Sequence, residues 1–452
     1  MEKVRGTIID GRLENVRYRQ YQLQQLHLAL RNGAEQLQDA LCKDSGISKT
    51  IAKTEFYLAM DSVNKAYETL DFDQALKDEY LIKDGKDNLN SRSGLGVIAF
   101  RPGTHSRLYS IVTVVAMAIA AKNALYLESL SNIIASALDK DLFAVSSKFS
   151  SPDISGADLF IDGTAGEEEQ ILTGSGTYYS KSLAVVDRSA DLKIAVRAIV
   201  NSRLPHNCNS PYSPGLVIVH EFVKDSFEKL CLEYAKDLMT VQDFENFQYD
   251  TDVEYHKDLV EAESLGQITL TKLGVYGLAI VESRDSNSAL IATKTNRPYI
   301  HVLSSTGIVD TTVKQQGFEA RRATYLFATP SVAKFMSEQI PAAVSYVDQI
   351  PRQLLIGPVS SPHSLHPRYT TEMLSVPRPK IINTVATIPS SVEELHESAL
   401  QPLKPVGQKM GHALGFFEQG IFIGLGMTFC IFVPLATWFS WIASKRVLAL
   451  WG

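Results

Sequence analysis

The sequence predicts an α/β fold followed by a single apolar helix near the C-terminus. Three observations predict it. Short apolar runs alternate with helical stripes through the middle of the chain. Hydrophobic residues make up 45% and charged residues 21%, the balance of a folded globular protein. No charged residue occurs between Glu418 and Lys445. At 452 residues the chain is long enough for two or three packed domains. Disorder, collagen-like repeats and polytopic membrane architecture do not fit this composition. With 44 Lys and Arg against 50 Asp and Glu the net charge is −6, so no basic excess points to nucleic acid.

The elements follow in order. Val16, Leu23, Leu26, Leu30, Leu37 and Leu41 lay one apolar stripe along a helix, which Gly33 interrupts. Helical patterning continues from about Ile51 to Tyr80. At Leu95 the texture changes: GLGVIAF reads as a strand, RPGTH as a turn, LYSIVTVVAMAIAA as a buried helix and NALYLE as a second strand. Strand, helix and strand within about 35 residues make one parallel βαβ unit. Further strands are expected at Asp158–Ile161, Lys181–Val186 and 215–220, and helices at Ala190–Val200 and Phe222–Leu238. The region Leu265–Val313 reads mainly as short strands, and TYLFA then PSVAKFMSEQI as strand then helix. The middle of the chain is therefore expected to be doubly wound. Beyond Pro351 it becomes rich in Pro and Ser, and a polar linker leads to the apolar run.

That run, Ile421–Ile442, is 22 residues long. As a helix it reaches about 33 Å, enough for a bilayer core of about 30 Å. Trp438, Trp441 and Trp451, all the tryptophans of the chain, lie in or just beyond it, as membrane–water boundaries favour. Pro434 falls mid-span, where membrane helices tolerate it. Lys404 and Lys409 flank one end and Lys445 and Arg446 the other, so basic residues do not set an orientation. A single-pass C-terminal anchor with a cytosolic body is the expectation. The four cysteines, at 42, 208, 231 and 430, form no Cys-x-x-Cys pair, which speaks against thiolate zinc and a disulfide framework. His363 and His366 sit in a proline-rich loop without a nearby carboxylate pair, and no metal site is expected there.

Longer phrases resemble a known family. LDKDLF at 138–143, the segment 181–203, PGLVIVHEFVKDSFEKL at 214–230, GLGVIAFRPG at 94–103 and AIAAKNALYLES at 118–129 are similar to class 3 aldehyde dehydrogenases, the branch that includes tail-anchored fatty aldehyde enzymes. The resemblance implies a Rossmann-like cofactor-binding domain with N-terminal helices over 1–203 and an α/β catalytic-type domain over 204–383. It further implies a linker over 384–418, an anchor over 419–444 and a small bridging sheet that makes a homodimer. The implied reaction is NAD(P)-dependent oxidation of an apolar aldehyde to a carboxylic acid. In it a Cys thiolate adds to the carbonyl and a Glu-activated water releases the acid. Fungal members of the branch are often associated with secondary-metabolite pathways, and no residue here identifies a pathway.

The family's chemistry residues fall on different residue types here. Its Cys position is Pro211, which has no nucleophile; the nearest thiol is Cys208, three residues upstream. Cys208 is either a relocated nucleophile or an unreactive thiol. The family's Glu position is Thr177, which cannot act as a carboxylate base, and the following glycines are Tyr178 and Tyr179. The oxyanion Asn falls at His105, which can still donate a hydrogen bond. For the cofactor, Gly163 and Thr164 keep part of the glycine turn, and Glu128 takes the place of a ribose-binding Lys. A carboxylate there accepts from a ribose 2′-OH and repels a 2′-phosphate, which favours NAD. Three glutamates, 167–169, read as an exposed acidic helix cap. The alternative to an active enzyme is a non-catalytic binding or scaffolding module at a membrane. Loss of Cys, Glu and the glycines together favours that alternative on chemistry.

Overall fold

The N-terminal stripe folds as it reads. In the computed structural model, which describes residues 2–45, 47, 49–103, 105–163, 182–203, 210–241, 253–272, 278–283, 299–315, 321–356, 369–378, 391–404 and 416–450, a short α1 (Glu2–Ile9) precedes α2 (Val16–Asn32) and α3 (Ala34–Ser45). Asn15 caps α2 by accepting from Arg17 N, and Leu23, Leu26 and Leu30 are buried. The break falls at Gly33, where a Cβ would lie 2.8 Å from Ile133 Cδ1. The region expected to be helical from 51 to 80 divides into α4 (Lys49–Glu68) and α5 (Phe72–Tyr80), because Asp71 caps a new helix by accepting from Gln74 N at 2.9 Å.

The expected βαβ unit is present. After β1 (Arg92–Gly94), strand β2 (Val97–Arg101) leads through α6 (Arg107–Ala120) to β3 (Ala124–Leu127), which lies parallel beside it. Helix α6 is buried from Leu108 to Ala120, which explains its nearly unbroken apolar sequence. Then α7 (Asn132–Ala137), β4 (Phe143–Val145), α8 (Ser151–Ser155) and β5 (Leu159–Asp162) complete a parallel sheet of order β4-β3-β2-β5.

The second sheet has seven strands in the order β12-β11-β6-β7-β10-β9-β8. They are β6 (Leu183–Val186), β7 (Leu216–His220), β8 (Ile268–Lys272), β9 (Ala279–Ser283), β10 (Tyr299–Ser305), β11 (Thr324–Phe327) and β12 (Ser345–Val347). All neighbours are parallel except β8, which runs antiparallel to β9. Helices α9 (Leu192–Ser202), α10 (Glu221–Val241), α11 (Val253–Ser264), α12 (Ile308–Val313), α13 (Pro330–Gln339) and α14 (Arg352–Ile356) occur between and after these strands. Alternate residues face opposite cores: Ala184, Val186, Val217 and Val219 pack with α9 and α10 residues, whereas Leu183, Val185, Leu216 and Ile218 pack with Ala333 and Met336 of α13. The sheet is therefore covered on both faces, as a doubly wound sheet requires. It begins at Leu183, ahead of the 203/204 boundary expected from the sequence. Finally β13 (Ser375–Pro377) pairs antiparallel with β1 in a separate two-stranded sheet.

One expectation is corrected. Residues 308–313 are helical rather than extended, although five of the six are β-branched. Asp310 accepts from Thr306 N at 2.8 Å and pairs with Lys314 at 2.7 Å, which fixes a turn of helix. The segment 384–418, expected as a polar linker, contains α15 (Val392–Leu400), capped by Ser391 accepting from Glu394 N at 3.1 Å. Helix α15 belongs to a second compact unit, residues 382–452, distinct from residues 1–381. That unit ends in α16 (Phe416–Leu450), which continues through Pro434. Its stretch Gln419–Ile442 has a mean hydropathy of 2.0, is unburied, and is long and apolar enough to cross a membrane. The hydroxyls of Thr428, Thr437 and Ser440 donate to carbonyls of their own helix.

Candidate functional site

Ligands of open parallel sheets bind beyond the carboxyl ends of the strands. In the four-stranded sheet those ends carry charge. Arg101, the last residue of β2, reaches sideways in both directions. Its Nε donates to Glu128 Oε2 at 2.7 Å just past β3, and its Nη1 donates to Asp162 Oδ2 at 3.0 Å at the end of β5. The guanidinium lies 5.4 Å from the Phe160 ring centroid and 6.0 Å from that of Phe149. The backbone N–H of Phe149 donates to Glu128 Oε1 at 2.9 Å. Each Glu128 oxygen thus holds one donor and keeps a second lone pair.

Gly163 is needed for a backbone reason. A Cβ there would sit 2.7 Å from Gly103 N and 2.8 Å from Arg101 O, so the exits of β2 and β5 touch backbone to backbone. Its sequence neighbour Thr164 lies outside the described residues, as do Glu167, Glu168, Glu169, Thr177, Cys208, His363 and His366.

His105 stands at the entry to α6, and its Nε2–H donates to Leu355 O in α14 at 2.8 Å. In this arrangement that N–H is directed at a backbone carbonyl. One residue on, Ser106 adopts φ 49°, a left-handed conformation at the start of the helix. Glu55 from α4 meets the same helix start: it is 1% exposed, and its Oε1 accepts from Tyr109 N at 3.2 Å. Burial pushes its carboxyl up to about 7, against the opposing pull of the Tyr109 and Leu108 N–H groups. Sequence reasoning missed Glu55. The signal was present, because it shares the helical face of Ala52, Phe56, Ala59 and Val63, all buried.

Pro211 is seated in a turn fixed on several sides. Its carbonyl accepts from Ser182 Oγ at 3.3 Å, and the adjacent Tyr212 carbonyl accepts from Tyr325 OH at 2.6 Å. Gly215 N donates to Ser182 O at 2.9 Å, which ties the turn to the start of β6. Arg203 holds the other side, donating to Tyr299 O at 2.8 Å and to Ser213 Oγ at 3.3 Å. Burial raises the Tyr369 phenol, and both Tyr212 and Asp162 act on it electrostatically. The Cys231 thiol is buried and pushed up by that burial, the environment of an inert thiol. No group of three metal-ligating side chains occurs among the described residues.

No protein-family model matches the chain, and no curated protein matches it either. Solved structures do. The chain is similar to substrate-bound AldH of Staphylococcus aureus, with a TM-score of 0.64 and 14% identity over 88% of this chain and 97% of that one. It is similar to the glyceraldehyde-3-phosphate dehydrogenase GapN of Methanocaldococcus jannaschii in complex with NADP, with a TM-score of 0.59 and 16% identity over 77% and 85%. A NAD-dependent benzaldehyde dehydrogenase from Corynebacterium glutamicum matches with a TM-score of 0.57 and 14% identity over 80% and 84%. At these identities the likeness shows the fold. The chain has the aldehyde dehydrogenase fold, with a Rossmann-like parallel sheet, a larger α/β sheet and one C-terminal helix able to span a membrane.

Proposed function

We propose that this chain is a membrane-anchored homologue of the NAD(P)-dependent aldehyde dehydrogenases, with NAD preferred, whose reaction is oxidation of an apolar aldehyde to a carboxylic acid. The observation that carries this reading is the fold, which the chain shares with solved aldehyde dehydrogenase structures across both of its larger sheets. Bound in this fold, the dinucleotide supplies the hydride acceptor. The residues at the sheet edge fit its ribose: Glu128 is held in place by two donors and retains lone pairs for a hydroxyl. Glu128 and Asp162 would repel a 2′-phosphate, so the edge favours NAD over NADP. The carbonyl chemistry requires a thiolate, and Cys208 is the thiol nearest in sequence to Pro211. The anchor holds the body, on the cytosolic side, where apolar aldehydes partition. A homodimer through the small two-stranded sheet completes the reading.

A second reading is favoured by one observation. The position that resembles the family's cysteine is Pro211, which has no nucleophilic side chain and whose carbonyl accepts from Ser182, next to a Tyr212 carbonyl held by Tyr325. Under it the fold serves as a non-catalytic binding or scaffolding module at a membrane. The two readings separate in one experiment on the detergent-solubilised full chain with NAD and a long-chain aldehyde, following absorbance of the reduced cofactor. Turnover that disappears in Cys208→Ala supports the enzyme. NAD binding without turnover supports the module.

A further inference from the structure

Helix α15 has two chemically distinct faces. At about 100° per residue, Leu395, Ala399, Val392 and Leu400 fall within an arc of about 140°, with His396 among them. Glu393, Glu397 and Glu394 occupy the opposite side. The apolar side is bare: Val392 is 78%, Leu395 54% and Leu400 68% exposed, and Leu403 just beyond the helix is 94% exposed. Isolated exposed leucines need no explanation, but a contiguous apolar face on a helix marks a binding surface. The helix is also pre-formed, because Ser391 caps its start and Glu393 and Glu394 suit the positive end of its dipole.

We infer that α15 lies flat on the surface of the bilayer that α16 enters, with Val392, Leu395, Ala399 and Leu400 set among the acyl chains and its glutamates in water. The inference rests on the membrane-anchor reading of α16 and adds a second, peripheral contact to it. Two things select a lipid surface over another occupant. The first is proximity: residues 401–415 reach at most about 50 Å when extended at roughly 3.3 Å each, so the anchor keeps α15 close to the membrane. A tethered contact of this kind gains from a high effective concentration, which makes a short apolar face sufficient. The second is the shape of the face, a narrow apolar arc on a polar helix, which is the pattern of helices that lie in a membrane interface. Its polar side departs from the commoner basic type. Three glutamates favour a zwitterionic headgroup layer and oppose an anionic one.

The test reconstitutes the full chain into phosphatidylcholine vesicles carrying a photoactivatable diazirine on the acyl chain, and maps the lipid adducts by mass spectrometry. Adducts in both 392–403 and 419–442 are expected. Leu395→Glu, a change at an exposed position, should lower the adducts in 392–403 by about tenfold, the effect of losing the burial of one leucine side chain, while those in 419–442 stay constant. Replacing part of the phosphatidylcholine by phosphatidylserine should also lower the adducts in 392–403. Adducts in 419–442 alone would overturn the placement of α15 and leave the anchor standing. Adducts in neither segment would overturn the anchor reading and the inference with it.

Discussion

Glu55→Gln removes an ionisable group that is 1% exposed at the first turn of α6. Glutamine keeps one side-chain oxygen to accept from Tyr109 N, puts an amide NH2 in place of the other, and removes the titration. In the folded chain burial raises the carboxyl from its usual 4.5 to about 7. A carboxyl raised in this way binds its proton more tightly folded than unfolded. The folded state therefore holds the extra proton between about pH 4.5 and pH 7, and stability falls as pH rises through that window, then levels off above it. At about 1.36 kcal/mol per pH unit the span amounts to about 3 kcal/mol. Urea unfolding of the full chain in detergent, for wild type and variant from about pH 5 to pH 8, reads the difference directly. Glu228, raised to about 7 by burial and by Glu282, is present in both proteins and cancels. Glu55→Gln should gain on wild type by about 2–3 kcal/mol across that range. Parallel pH profiles for the two proteins would refute a buried, proton-holding Glu55.

Other outcomes follow from the same geometry. Gly163→Ala forces a Cβ against Gly103 N and Arg101 O, and should lower stability by about 1–3 kcal/mol in thermal or urea unfolding. Tyr325→Phe leaves the buried Tyr212 carbonyl without its phenol donor, a loss of about 1–2 kcal/mol by the same measurement. Glu128→Ala removes the carboxylate offered to the ribose and should weaken NAD binding by about tenfold in calorimetry, while NADP binding strengthens as the repulsion of its 2′-phosphate is relieved. The Cys231 thiol should resist a thiol reagent in the folded chain at neutral pH and react on unfolding; rapid labelling of the native chain would contradict its burial.

What could be read from the sequence was what repeats locally. The strand and helix of GLGVIAF and LYSIVTVVAMAIAA stand out because each is buried along its length, so burial writes an apolar run. Strands such as β4 and β12 have only three residues and half-exposed patterns, too little signal to detect. Helix α12 was misread because Ile308, Val309, Thr311, Thr312 and Val313 favour strands, while the contact that decides the matter, Asp310 with Thr306 and Lys314, is made by polar side chains. The candidate site was legible only at its corners. Glu128 and Gly163 were found as positions, but the arginine that joins Glu128 to Asp162, the neighbour of Gly163, is 27 and 61 residues away from its two partners in sequence. His105 was expected to aim at a reacting oxygen, and its bond to Leu355, 250 residues on, depends on tertiary packing that no local pattern encodes. Glu55 looks like any solvated helix glutamate until its face is compared with the buried residues around it.

Under the proposed function, the fold takes a nicotinamide dinucleotide at the edge formed by Arg101, Glu128 and Asp162. The most direct test of that claim is calorimetric titration of the full chain in detergent with NAD and, separately, with NADP. Saturable binding of NAD, tighter than that of NADP and weakened in Glu128→Ala, is the predicted result. A folded chain that binds neither nucleotide would contradict the claim and leave an aldehyde dehydrogenase fold kept for something other than dehydrogenation.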